Sequence, residues 1–142
     1  MGYKIFVDTN IYLNVLLKRE SLFEDSIQLL KMGELDKIEI FSSASILLNC
    51  IYMLNKYKIE KTTQISTANS ILAYTLLLPC SNVSFQAALQ SGFSDLEDAV
   101  QYYTALEYRK IDYFITENVK DFKKAIPLLP VITPKKFLEI YS

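Results

Sequence analysis

The sequence predicts an α/β fold, a mainly parallel central sheet flanked by helices, and three observations lead there. Short apolar runs of strand length alternate with longer stretches whose apolar residues recur at helical spacing. Apolar residues make up 51% of the chain and charged residues 22%, which is a globular composition. No repeat, low-complexity tract or Gly/Pro-rich linker divides the 142 residues, so one domain over 1–142 is expected.

The elements follow in order. KIFVD (4–8) reads as a buried first strand, and a helix is expected from about Asn10 to Leu17. FEDSIQLLKMGEL (23–35) carries apolar residues at helical spacing, and KIEIFS (37–42) is a second strand. SILLNCIYMLNKY (45–57) and KTTQISTANSILAY (61–74) are helical, and LLLPC (76–80) is strand-like. VSFQAALQS (83–91) is a helix for which Gly92 is the expected C-cap. SDLEDAVQYYTALEYRK (94–110) is an amphipathic helix opening on a Ser94–Glu97 capping box. Strand DYFIT (112–116), a short helical turn, strand PVIT (130–133) and helix PKKFLEIY (134–141) complete the pattern. Strands separated by helices of this length point to parallel pairing and a layered domain.

Charge and composition exclude several classes. Fifteen basic side chains nearly balance sixteen acidic ones, which argues against nucleic-acid binding by overall positive charge but leaves local lysines free to act. The chain has no histidine, and its two cysteines, Cys50 and Cys80, do not form a C-x-x-C pair. A zinc site is not expected, and both thiols are expected to be buried and reduced. The first strand begins without a charged leader or long apolar segment, and no window is apolar enough to span a bilayer. A cytoplasmic protein without membrane contact is the expectation.

In open parallel sheets, sites form beyond the carboxyl ends of the strands. Asp8 ends the first strand, and Glu117, Asn118 and Asp121 follow DYFIT, so right-handed crossovers bring them to one edge. Asp95 and Asp98, three apart, share a helix face, and Asp98 immediately precedes the apolar stripe Ala99, Val100 and Tyr103. Each acid also has a plainer role open to it. Asp8 can serve as an N-cap, Asp95 and Asp98 as helix-start acids, and Asp121 as a surface acid beside Lys120 and Lys123. Carboxylates that do converge repel one another unless a cation sits between them. With oxygen donors alone that cation is Mg²⁺ or Mn²⁺, and its usual chemistry is water attack on a phosphodiester.

FVDTN near the start, with DLEDAVQYYTALEYRKIDYFITENVKDF late in the chain, resembles a PIN-domain ribonuclease, more narrowly the VapC-like toxin type of bacterial toxin–antitoxin systems. The likeness runs from Lys4 to the closing VITPKKFLEIY, and its late block is the more specific part. The resemblance implies a PIN-like three-layer sandwich and a metal-dependent endoribonuclease acting on RNA. It also implies an antitoxin protein as partner and a homodimer formed through helices. By position, Asp8 matches the first acid, Asp98 the helix acid and Asn118 an Asp-or-Asn position, with Asp121 close behind. Asp8, Asp98, Asp121 and Asn118 are thus the expected catalytic residues. Asp8, Asp98 and Asp121 are the expected metal-holding acids, assisted by Asp95. Thr9, Asn10 and Thr116 match small polar residues that orient ligands or water.

Two positions depart from the pattern. Many members carry a glutamate where Asn49 stands, and many carry an arginine where Glu117 stands. NCIYML is similar to a subgroup in which asparagine is normal there; an amide bonded within its own helix is the alternative. Asn49 and Glu117 are therefore expected as supporting residues, and both favour a rival reading, a PIN-like module that binds RNA or a partner protein without cleaving. A haloacid-dehalogenase-type site would need a second aspartate at Asn10, and a receiver domain an aspartate near EIFSS; both are missing. Lys18, Arg19, Lys120, Lys123 and Lys124 are candidates for holding RNA phosphates, with plain surface solubility as the alternative. Tyr102, Tyr103 and Tyr108 suit packing better than base stacking, because they lie on the amphipathic helix.

Overall fold

The computed structural model describes residues 2–142. Five strands form one parallel sheet: β1 (Lys4–Val7), β2 (Glu39–Ser42), β3 (Thr75–Leu77), β4 (Tyr113–Ile115) and β5 (Val131–Ile132). Their order is β3-β2-β1-β4-β5. The helices are α1 (Thr9–Leu16), α2 (Phe23–Glu34), α3 (Ala44–Lys56), α4 (Lys61–Leu72), α5 (Asn82–Leu89), α6 (Leu96–Tyr108) and α7 (Pro134–Tyr141). A 3₁₀ turn covers Val119–Phe122.

Alternation along the strands explains the layers, because successive side chains point to opposite faces. Phe6, Phe41 and Phe114 are register partners and share one face. There Phe6 and Phe114 stack with ring centroids 5.2 Å apart, and Tyr102 and Tyr108 of α6 cover Phe114 and Phe41. Ile5, Ile40 and Tyr113 form the alternate row. Tyr113 meets Phe137 of α7, and Ile40 presses so closely on Gly33 of α2 that a β-carbon at residue 33 would collide with it. Helices thus flank both faces, which is the expected α/β architecture. β1 is central, and the chain runs outward from it in both directions, so the strand order reverses between β1 and β4. Sites in open α/β sheets form at such a crevice.

Tyr102 does more than fill space. Its hydroxyl accepts from the Ile126 N–H at 2.9 Å and donates to the Leu129 carbonyl at 2.8 Å, which ties α6 to the segment between the 3₁₀ turn and β5. Tyr102→Phe removes the partner of the buried Leu129 carbonyl and of the part-buried Ile126 N–H. It is expected to lower stability by about 1–2 kcal/mol, read as a lower urea midpoint at unchanged slope.

The sequence expectations need correction at several points. Gly92 is not the C-cap of α5, which ends at Leu89 with Gln90 as cap. Gly92 instead sits at φ 80°, in the left-handed region that glycine adopts freely, and turns the chain so that Phe93 enters the aromatic core. The Ser94–Glu97 capping box does not form, because Asp95 is the N-cap of α6 and accepts from the Asp98 N–H at 3.0 Å. Cys50 is buried, but Cys80 is exposed in the connection after β3, where the chain leaves the sheet edge. β3 begins at Thr75 rather than Leu76, and α4 ends before Ala73 and Tyr74. Among the described residues no helix is long and apolar enough to cross a membrane.

Candidate active site

β1 and β4 run in register, with Val7 beside Ile115, so Asp8 and Thr116 stand next to each other as the strands end. The Asp8 N–H still donates to the Ile115 carbonyl at 3.0 Å. The carboxylate is only 6% exposed, and three groups address it. Thr9 N–H donates to Oδ1 at 2.8 Å, the Thr116 hydroxyl donates to Oδ2 at 3.0 Å, and Asn10 Nδ2 lies 3.4 Å from Oδ2. Asp8 therefore caps α1 and also presents a fixed carboxylate at the switch point. Burial pushes its pKa up, the bonds from Thr9, Thr116 and Asn10 push it back down, and Glu97 adds repulsion.

Thr116 is fully buried and is the hub of this corner. Its Oγ1 accepts from Asn10 Nδ2 at 3.1 Å and from the Asn118 N–H at 3.2 Å while its hydrogen goes to Asp8. Asn10 closes the loop by accepting the Glu117 N–H on Oδ1 at 3.1 Å. Thr9, Asn10 and Thr116 thus hold the Asp8 carboxylate in place.

α6 brings the second acid. Asp98, half-buried in its first turn, has its pKa pushed up to about 7 by burial and then by Asp8, Asp95, Asp121 and Glu97. Asp98 is therefore where the fields of the other acids meet. Asp95 stands beside it as a cap instead of one turn along the same face, so its carboxylate is partly committed to the helix N-terminus. Asp121 is exposed on the 3₁₀ turn, and its neighbour Phe122 anchors that turn by packing against Phe114 with centroids 4.9 Å apart. The adjacent residues of the DF element thus split their work, one buried and one presented. Asn118 precedes the turn and is exposed, held through its main chain by Thr116.

Asn49 is not bonded within its own helix; its Nδ2 donates to Glu97 Oε1 at 3.1 Å, reaching from α3 to α6. Beside that contact, Ser43 donates to Gln101 Oε1 and Gln101 Nε2 donates to Ser45, which fastens the same two helices. Glu97, Gln101 and Ser43 were missed as contributors to the site. Gln101 was detectable as a lone amide within the apolar stripe of α6, whereas the contact between Asn49 and Glu97 leaves no local trace. Glu117 accepts from Asn14 Nδ2 at 2.8 Å, and burial raises its pKa. Lys18 and Arg19 follow the far end of α1, roughly 12 Å of helix from Asp8. Lys120 and Lys123 are exposed on and just after the turn that carries Asp121, and Lys124 follows them.

Among the described residues neither Asp8 nor Asp98 forms an ion pair with Lys or Arg. Nor does any group of three or more Asp, Glu or Cys side chains among the described residues stand together closely enough to hold a metal ion by itself. Acids that repel one another, as Asp8, Asp95 and Asp121 repel Asp98, suit a hard cation when no basic partner relieves them. Mg²⁺ keeps several waters and needs only one or two carboxylates from the protein, so an open set of this kind fits it better than a cage would.

The PIN domain family model matches residues 4–120. The chain belongs to the PIN domain family. Among solved structures, this PIN fold is similar to VapBC2 from Rickettsia felis bound to a DNA fragment from its promoter. That likeness has a TM-score of 0.65 and 18% identity and covers 92% of this chain and 98% of the other. It is also similar to a toxin–antitoxin complex from Klebsiella pneumoniae, with a TM-score of 0.63 and 24% identity over 92% of this chain and 97% of that one. No curated protein matches the sequence.

Proposed function

We infer that this PIN domain is an endoribonuclease dependent on Mg²⁺ or Mn²⁺ and the toxin of a bacterial type II toxin–antitoxin pair. The observation that carries the reading is the corner where β1 and β4 end. Asp8 is buried, fixed by hydrogen bonds and set within repulsive range of Asp98, and among the described residues no ion pair with Lys or Arg relieves either. An arrangement that costs stability in the protein alone finds its use when a divalent cation binds. Asp8 and Asp98 would hold the ion directly, with Asp121, Asn118 and Asp95 at its margin. Bound there, the ion supplies activation of water and neutralisation of the charge that builds on a phosphodiester. Thr116, Thr9 and Asn10 keep Asp8 oriented for that task, and Lys120, Lys123 and Lys124 suit RNA phosphates at the rim.

Membership in the family and the likeness to toxin–antitoxin complexes support an antitoxin as partner. Exposed apolar side chains on α3, α4 and α5, among them Leu48, Tyr52, Ile65 and Phe85, offer a surface for it or for a second copy. We read residues 1–142 as one cytoplasmic domain. We also place the chain in the subgroup with asparagine at the usual glutamate position; here Asn49 spends its amide on Glu97.

Purified protein incubated with mixed RNA is expected to cut it with Mn²⁺ and with Mg²⁺, and EDTA is expected to stop the reaction. The loss of a carboxylate at Asn49 favours a second reading, a module that binds without cleaving. Absence of cleavage together with absence of Mn²⁺ binding in calorimetry would establish that alternative.

A further inference from the structure

Asn14 lies fully buried on α1, and its Oδ1 has no hydrogen-bond partner among the described residues. Buried polar atoms are almost always satisfied, so an orphan needs a cause. The other half of the amide supplies it. Asn14 Nδ2 donates to Ser26 Oγ at 3.0 Å and to Glu117 Oε2 at 2.8 Å. Turning the amide over would offer Oδ1 the Ser26 hydroxyl, but it would also set that oxygen against the Glu117 carboxylate, acceptor against acceptor. The bond to Glu117 therefore dictates the orientation and leaves Oδ1 unpaired.

Asn10 stands one turn earlier on the same face of α1 and accepts the Glu117 N–H. The helix thus grips residue 117 twice, by main chain and by side chain. On one side of it Thr116 orients Asp8; on the other Asn118 leads into the turn that carries Asp121. Packing alone does not account for a glutamate here. The half-buried carboxylate lies near the acidic Asp25 and forms no ion pair among the described residues, so an apolar side chain would sit there at less cost.

We propose that Asn14 and Glu117 are a positioning pair, which holds the segment from Thr116 to Phe122 so that Asp121 stays beside Asp98. The pair rests on the nuclease reading of the same site and touches neither cation nor RNA itself. Its action is through the placement of Asp121 and Asn118.

Four variants test it: Glu117→Ala, Glu117→Gln, Asn14→Asp, and the double Asn14→Asp with Glu117→Gln. Glutamine at 117 keeps an acceptor for Asn14. Aspartate at 14 sets two carboxylates together, and the double variant restores the bond with its direction reversed. Melting curves confirm folding, and amide exchange over 116–122 reports the hold on the segment. Glu117→Ala and Asn14→Asp are expected to lower kcat about 10-fold with little change in KM and to speed that exchange. Glu117→Gln and the double variant are expected to recover to within about threefold of wild type in both readouts.

The proposal is overturned if Glu117→Gln falls as far as Glu117→Ala, or if the double variant is no better than Asn14→Asp. Exchange that changes while kcat does not would leave a merely structural clasp and overturn it equally. Should wild type cleave no RNA with either cation, the nuclease reading fails on that result alone. The pair is then judged by Mn²⁺ affinity in calorimetry: the same order of variants upholds it, and an unchanged affinity in Glu117→Ala overturns it. Wild type that binds no Mn²⁺ overturns both.

Discussion

Asp98→Asn is expected to abolish RNA cleavage and, in the absence of metal, to make the fold more stable at neutral pH and above. The two effects share one cause. Asp98 has an ordinary value of 3.8 and is pushed up to about 7 in the folded protein, by burial first and by Asp8, Asp95, Asp121 and Glu97 after it. Between those two values the folded state holds a proton that the unfolded chain has released. Stability therefore falls as pH rises through this window, and above about 7 the folded protein carries the full repulsion. Asparagine keeps the shape and removes the charge. The gain at pH 8 is about 1–2 kcal/mol once solvent screening of a half-buried group is allowed for, and it should vanish by pH 4. Urea unfolding of both proteins at the two pH values measures it. Partners of metal ligands typically cost 10–100-fold when removed, so loss of a ligand should cost more than about 100-fold in cleavage. Mn²⁺ affinity of the wild type should also climb as pH passes through about 7, because the cation must displace the Asp98 proton. A variant less stable than wild type at pH 8 would show that Asp98 carries no unfavourable charge.

The layered α/β fold was legible because it rests on periodicity, and the sheet makes that periodicity physical. The row Phe6, Phe41 and Phe114 faces α6, and the row Ile5, Ile40 and Tyr113 faces α2 and α7. Element ends were less legible because they depend on choices between near-equal local partners. Both Ser94 and Asp95 can cap α6; Asp95 does so, and Glu97, freed from a capping box, meets Asn49 instead. Asp8 and Asp98 were visible as acids at a strand end and a helix start. Thr116 was named only through the resemblance, as a small polar residue, and its place as a hub was not legible, since a threonine closing a strand is ordinary in itself. Asn14 illustrates the limit. An amide inside the apolar run IYLNVLL signals a buried partner, but nothing nearby in the chain names Glu117, 103 positions away.

Asp8 poses the sharper test, because its two roles can be separated by choice of substitution. As N-cap it satisfies the Thr9 N–H, and as a buried carboxylate it accepts the Thr116 hydroxyl. Asp8→Ala removes both. Loss of the cap costs about 1 kcal/mol, and a stranded buried hydroxyl costs about 1–3 kcal/mol in its own right, so this variant should melt well below wild type. Asp8→Asn keeps a favoured cap through its Oδ1. Its amide must face Thr116 and Asn10 as a donor, which loses a bond, but the buried charge whose pKa burial had raised is gone. These terms oppose each other, and the net change in stability should stay within about 1 kcal/mol. Cleavage should nevertheless fall more than about 100-fold in both variants, since asparagine offers a cation one neutral oxygen in place of a carboxylate. If Asp8→Asn stays folded and still cuts RNA at the wild-type rate, Asp8 is a helix cap and the cation lies elsewhere. If it stays folded, cuts nothing and no longer binds Mn²⁺, the charge at the end of β1 is what the chemistry requires.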